Sequence, residues 1–130
     1  MILAETQIST PALTYLRLAA RHAMHSEHGI YRMGAIVVRK GRIIAYGFNK
    51  NRTHPRALNF TRKIHAELAA LIMADRGDTY NSDMYIVRIT NGGKLATSKP
   101  CMSCEILIRE AGIKNVTYID TEGLICSQKL

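Results

Sequence analysis

The chain has no apolar run approaching the roughly 20 residues of a membrane-spanning helix, so no such helix is expected. Its first residues, Met1-Ile2-Leu3-Ala4-Glu5, place no basic segment ahead of an apolar one, which argues against a secretory leader. Cysteine is scarce. Three in 130 residues is an odd count that does not suit a disulfide framework. Two of them form Cys101-x-x-Cys104, which in a reducing compartment points to metal or redox chemistry, and a cytoplasmic location is expected. Repeats, low-complexity tracts and Gly/Ser linkers are also missing, so residues 1–130 read as a single domain large enough to bury a core. With 47% hydrophobic and 22% charged residues, neither disorder nor a coiled coil fits.

Acidic residues are missing from one long segment. Between His28 and Ala66 there is no Asp or Glu, but there are nine cations: Arg32, Arg39, Lys40, Arg42, Lys50, Arg52, Arg56, Arg62 and Lys63. The net charge of +8 therefore originates in this segment, and it would attract phosphates on a nucleotide or a polynucleotide. A solvated basic face that only aids solubility is the plainer alternative. Arg52, His54 and Arg56 are candidate phosphate contacts or simply a basic loop. The segment has no row of aromatics for base stacking, which disfavours single-strand binding.

Thr10-Pro11 predicts a helix start, Leu13, Leu16, Ala20 and Ala23 follow at helical spacing, and Gly29 is the expected stop. Met33–Val38 and Arg42–Phe48 read as strands of a hairpin around Lys40-Gly41, and 49–63 as loop. A helix over His65–Arg76 ending at Gly77 precedes a strand over Met84–Thr90, broken by Asn91-Gly92-Gly93. Pro100 opens another helix, closed by Gly112, and strands over Val116–Ile119 and Leu124–Ser127 end the chain. This order predicts an α/β fold, three-layer α/β/α, with a mixed central sheet of about five strands. Only Asp120 to Gly123 separate the last two strands, too few for a parallel crossover, so they should run antiparallel.

The chemistry lies in His65-Ala66-Glu67 and Pro100-Cys101-Met102-Ser103-Cys104. His65, Cys101 and Cys104 suit zinc, and three protein ligands leave a fourth tetrahedral position for water. His65 and Glu67, two residues apart, normally diverge on a helix and converge on one ion only if it lies just beyond the first turn. Both ligand pairs then sit at helix N-termini, whose positive ends favour thiolate and hydroxide. One Zn²⁺, two thiolates and a neutral His sum to zero charge, so bound water could ionise, with Glu67 moving its proton.

These residues resemble the zinc-dependent cytidine/deoxycytidylate deaminase superfamily, whose signature is His-x-Glu followed by Pro-Cys-x-x-Cys. The order of elements over about residues 10–120 is similar as well. The resemblance implies His65, Cys101 and Cys104 as zinc ligands and Glu67 as general acid/base. It implies a sugar contact by Asn49, in Gly47-Phe48-Asn49, and a backbone contact to the base at Ala66. A His ligand and the Gly112–Tyr118 segment look more like deoxycytidylate deaminases, although a parallel last strand is expected of those. The loop before Lys63 is too short for a large regulatory insertion. The expected reaction turns a cytosine base to uracil in a free nucleotide or nucleoside, deoxycytidylate first, with water at the zinc attacking C4.

Other readings stand beside this one. An editing deaminase acting on tRNA or single-stranded nucleic acid is the alternative function, and a non-catalytic zinc-stabilised nucleic-acid-binding module a third. The module requires Cys126 as a fourth, closing ligand; otherwise Cys126 is a small core side chain. Cys101 and Cys104 as a redox pair lack a thioredoxin-type setting. His22, His25 and His28 suggest a metal row, but at steps of three they wind around the helix. Tyr118 either lines the pocket and stacks on a base or is a core aromatic. A homo-oligomer is expected, and no membrane partner.

Overall fold

The structure is a computed structural model that describes residues 2–3, 10–26, 32–49, 65–74 and 78–130. Its elements are β1 (Ile2–Leu3), α1 (Thr10–Ala23), β2 (Arg32–Arg39), β3 (Arg42–Phe48), α2 (Ala66–Met73), β4 (Asp83–Ile89), β5 (Leu95–Ala96), α3 (Met102–Glu110), β6 (Asn115–Ile119) and β7 (Ile125–Lys129). Side chains alternate across a strand, and here the alternation feeds two separate cores. Ile36, Val38 and Val87 pack under Leu16 and Ala19 of α1. Ala35, Val37, Met84 and Ile86 pack under Leu68, Ala70 and Leu71 of α2 and Leu107 and Ile108 of α3. Helices on both faces make the three layers expected from the sequence. Among the described residues, no helix is long and apolar enough to cross a membrane.

The strand order is β1-β7-β6-β4-β2-β3, with β5 paired to β4. The five expected strands are β2, β3, β4, β6 and β7; two-residue β1 and β5 complete a sheet of seven. β4 and β6 are parallel, joined through α3, and the other pairs are antiparallel. The short Asp120–Gly123 link returns β7 antiparallel to β6, as its length requires. Lys40 and Gly41 adopt φ of 51° and 75°, the left-handed conformation of a tight hairpin. α1 stops at Ala23, short of Gly29, and the chain then turns so that the Ser26 hydroxyl meets the Asn49 side chain. α2 ends at Met73 rather than Arg76 because Ala74 is already extended, at ψ 141°.

Two glycines set how closely the helices approach. A Cβ at Gly34 would strike the Ala19 carbonyl oxygen and the Ala23 nitrogen of α1. One at Gly47 would strike the Ala70 nitrogen and the Ala66 carbonyl oxygen of α2. α2 therefore rests directly on the backbone of β3.

Strand direction decides what lies near what. The ends of β3, β4 and β6 at Phe48, Ile89 and Ile119 share one end of the sheet, and the Lys40-Gly41 hairpin closes the other. α2 and α3 begin at the first end.

Candidate active site

His65 caps α2 in an extended conformation (φ −76°, ψ 158°), and Cys101 caps α3 in the same way (φ −70°, ψ 166°). Neither cap side chain bonds to a backbone amide of its own helix, and the two approach each other. Because His65 stands outside the helical spiral, it converges with Glu67 despite their two-residue spacing. His65 Nδ1 lies 3.3 Å from Cys104 Sγ and 3.7 Å from Cys101 Sγ. A tetrahedral zinc with ordinary Zn–N and Zn–S bonds holds such atoms about 3.6 Å apart. The ligand atoms of all three residues lie within 4.8 Å of one another. These donors fit zinc, with Nδ1 as the histidine's ligating atom.

The surroundings favour a cation. Burial pushes the Cys104 thiol well above its ordinary range, and Glu67 and Cys101 push it further. Burial outweighs the helix N-terminus here, so the thiolate expected from the helix dipole alone requires a positive ion. Ser103, between the two cysteines, places its hydroxyl 3.2 Å from Cys101 Sγ, where it can donate to a thiolate. Sequence reasoning passed over Ser103; its position inside Cys-x-x-Cys was the available signal.

Glu67, the second residue of α2, is 1% exposed. Burial pushes its carboxyl above the ordinary carboxylate value, opposed by a backbone hydrogen bond, His65 and Cys104. Its Oε1 has no hydrogen-bond partner among the described residues. A buried acceptor of this kind costs stability unless a further polar group meets it, which fits a reactant at an open metal position. Ala66, fully buried, opens α2 between His65 and Glu67.

Cys126 is not in the cluster: it lies in the core, beside Tyr118 in the β6–β7 register. The closed four-ligand site, and the non-catalytic module that needed it, therefore lack their fourth ligand. All three cysteines are free. Tyr118 is the core aromatic of the two readings. It is buried, its hydroxyl donates to Gln128 at 3.4 Å, and burial pushes its pKa up to about 12. His22, on α1, stacks on Tyr46 of β3 at 4.2 Å, and His25, just beyond α1, tilts against Phe48. The third histidine of the suggested metal row, His28, is outside the described residues, as are His54, Arg52 and Arg56.

Asn49 directly follows β3 at the site's end of the sheet. Its Oδ1 accepts from the Met33 amide at 3.0 Å and from the Ser26 hydroxyl. The basic segment does not border the site as a whole. Arg39, Lys40 and Arg42 stand at the opposite, hairpin end, where Arg39 meets Asp78 at 3.6 Å. Arg32 is at the site's end, but its register with Ile36 and Val38 puts it on the α1 face. Arg88 was missed: in register with Met84 and Ile86, it is a half-buried cation on the α2/α3 face at the site's end. The signal was a cation at an alternating, core-facing strand position.

A three-donor metal cluster with one tetrahedral position left for a reactant is a zinc centre of the catalytic class, carried on a three-layer α/β/α fold. The chain belongs to the cytidine and deoxycytidylate deaminase family, whose zinc-binding region matches residues 9–120, and it is a hydrolytic deaminase. A deoxycytidylate deaminase of Mycobacterium phage D29 is 29% identical, over 80% of this chain and 90% of its own. The cytidine deaminase of Burkholderia pseudomallei superimposes with a TM-score of 0.64 at 17% identity, covering 94% of this chain and 93% of that one. The dCMP deaminase of cyanophage S-TIM5, solved in complex with dCMP and dUMP, gives 0.56 at 22% identity over 80% and 76%. Both structures share the fold.

Proposed function

We propose that the protein removes the amino group of cytosine in a free pyrimidine nucleotide, converting deoxycytidylate to deoxyuridylate with release of ammonia. Glu67 carries this reading: a buried carboxyl with an unpartnered oxygen, beside three zinc donors. The relative from phage D29 bears the name of that activity, and the cyanophage enzyme was solved with dCMP and dUMP, which supports the choice of substrate.

His65, Cys101 and Cys104 would hold a zinc ion, which when bound would lower the pKa of a coordinated water from about 15.7 toward about 7. Glu67 takes the proton given up by the attacking water and delivers it to N3 of the ring, making C4 electrophilic. It then carries a second proton to the departing amine, so that cytosine and water become uracil and ammonia. A carboxyl lifted by burial suits both directions of transfer. Ala66 offers its backbone to the base. Asn49, held at the end of β3 by the Met33 amide, meets the sugar. Arg88, on the α2/α3 face, is a candidate to meet the phosphate, with Arg52 and Arg56 as further candidates.

The test is ammonia release from deoxycytidylate, deoxycytidine, cytidine and a cytosine-containing oligonucleotide, each at several salt concentrations. Deoxycytidylate should react fastest, with modest salt dependence. Efficient turnover of the oligonucleotide but not of deoxycytidylate, with a log–log salt slope of about −0.7 per contacted phosphate, would assign the enzyme to polynucleotides instead.

A further inference from the structure

The parallel pairing of β4 and β6 stops early. It runs from Asp83 and Asn115 to Tyr85 and Thr117, although both strands continue toward the active-site end. In a parallel ladder of this register the next rung is the Ile119 amide donating to the Ile86 carbonyl. That rung is occupied by Ser98. The Ile119 amide donates to Ser98 Oγ at 2.8 Å, and Ser98 Oγ donates to the Ile86 carbonyl at 2.8 Å. The Ser98 amide donates to the Ile119 carbonyl, also at 2.8 Å, and the Thr97 hydroxyl reaches the same oxygen at 3.2 Å. β5, just before, pairs with β4 at Arg88 and Ile89, beyond the point where β6 has diverged. The chain from Leu95 to Ser98 thus fills the gap between the strands, and Cys101 follows three residues later.

We propose that Ser98 is a positioning residue for the metal centre. Its hydroxyl replaces one rung of the sheet, holds β4 and β6 apart, and fixes the segment that carries Cys101 and Cys104 to His65. Ser98 is 1% exposed and its hydrogen bonds go to Ile86 and Ile119, not to the metal ligands, so its effect passes through the backbone of residues 98–101. Without the hydroxyl the Ile119 amide and Ile86 carbonyl either stay unpaired or close on each other, and closure expels the segment. In both cases Cys101 loses its anchor. This inference rests on the zinc site alone and is independent of the substrate.

The experiment compares Ser98→Ala with Ser82→Ala. Ser82 is equally buried and its hydroxyl also donates to a backbone carbonyl, that of Thr79, but it lies just before the start of β4, at the opposite end of the sheet. Zinc affinity is read by competition with a chromophoric chelator, and the cobalt(II) protein is examined for its thiolate-to-metal absorption. Ser98→Ala should lose about 10- to 100-fold in zinc affinity, the range typical of outer-shell partners, and shift the cobalt band. Ser82→Ala should lower the melting temperature with both metal readouts unchanged. Wild-type zinc affinity and cobalt spectrum in Ser98→Ala, or an equal affinity loss in Ser82→Ala, would overturn the proposal. If Ser98→Ala does not fold, Ser98→Thr, which keeps the hydroxyl, should retain zinc affinity; its loss in folded Ser98→Thr overturns the proposal equally.

Discussion

Gly47→Ala should damage both stability and activity, because β3 and α2 leave no room for a methyl group. The new Cβ would lie 2.6 Å from the Ala66 carbonyl oxygen and 2.8 Å from the Ala69 Cβ, and closer still to the Ala70 nitrogen. Ordinary carbon contacts begin near 3.4 Å, so α2 must retreat by about 1 Å. These obstacles are mostly helix backbone, which cannot turn aside as a flexible side chain would. Overpacking costs about 1–3 kcal/mol, and this site belongs at the upper end. The lower chain entropy of alanine in the unfolded state returns only about 0.4–1 kcal/mol. A net loss of about 2 kcal/mol lowers the melting temperature of a domain this size by roughly 6–10 °C. The same retreat moves Glu67, and misplacing a catalytic group by about 1 Å can cost on the order of 10²-fold in rate. Thermal unfolding and kcat measure the two effects. Gly92→Ala is the control, since a Cβ there meets nothing closer than the Thr90 hydroxyl at 3.8 Å. Gly47→Ala melting within a degree of the wild type would refute the packing argument.

Cys126→Ser should keep about one zinc per chain by elemental analysis; metal loss would restore Cys126 as a ligand and undo the catalytic assignment. Glu67→Gln should lower turnover by about 10²–10⁴-fold with zinc content and fold intact, and wild-type rates would dismiss Glu67 as proton carrier. In metal-free protein the raised Glu67 pKa has a stability signature: its contribution is full below the unfolded value near 4.5 and is lost as pH rises through the folded value. Metal-free Glu67→Gln should therefore gain on metal-free wild type in melting temperature from pH 4 to 8; a pH-independent gap would contradict the burial assigned to Glu67. Zinc uptake at pH 7 should release the proton that burial holds on the Cys104 thiol, and calorimetry in buffers of different ionisation enthalpy detects it. A count near zero would mean that Cys104 is already ionised.

The zinc donors were legible because the ion accepts few side chains at narrow spacing: His65, Cys101 and Cys104 declare themselves in one dimension. The β6–β7 hairpin was legible because four residues cannot make a crossover. What strand direction decides was not. Arg39, Lys40 and Arg42 are neighbours of Asn49 in sequence but sit at the far end of the sheet, because β3 carries the chain its full length between them. Arg88 follows a Val in an ordinary strand, and only the alternation with Met84 and Ile86 places it on the site's face. Ser98 was invisible for a related reason. A hydroxyl standing in for a ladder rung has meaning only once β4 and β6 are known to diverge there. Two-residue β5 likewise exists through pairing with β4, not through propensity.

The site holds together by a balance of burial against charge. Cys104 and Glu67 are both 2% exposed or less; Glu67 makes the ionisation of Cys104 harder, while a hydrogen bond from Cys104 eases that of Glu67 without cancelling the effect of burial. Left as thiol and acid they are tolerable; left as thiolate and carboxylate they are two anions in a low-dielectric pocket. A dipositive ion held by His65, Cys101 and Cys104 would reverse that preference for Cys104. Glu67, which is not required among the donors, is left to carry a proton. The same dryness that makes the Cys104 thiol wait for a metal thus lifts the carboxyl above its ordinary range and equips it to exchange protons. Close packing of α2 on Gly47 maintains that dryness on one side. On the other, the segment anchored at Ser98 carries Cys101 and Cys104 into place, so glycine and serine positions outside the signature support the chemistry of the four residues within it.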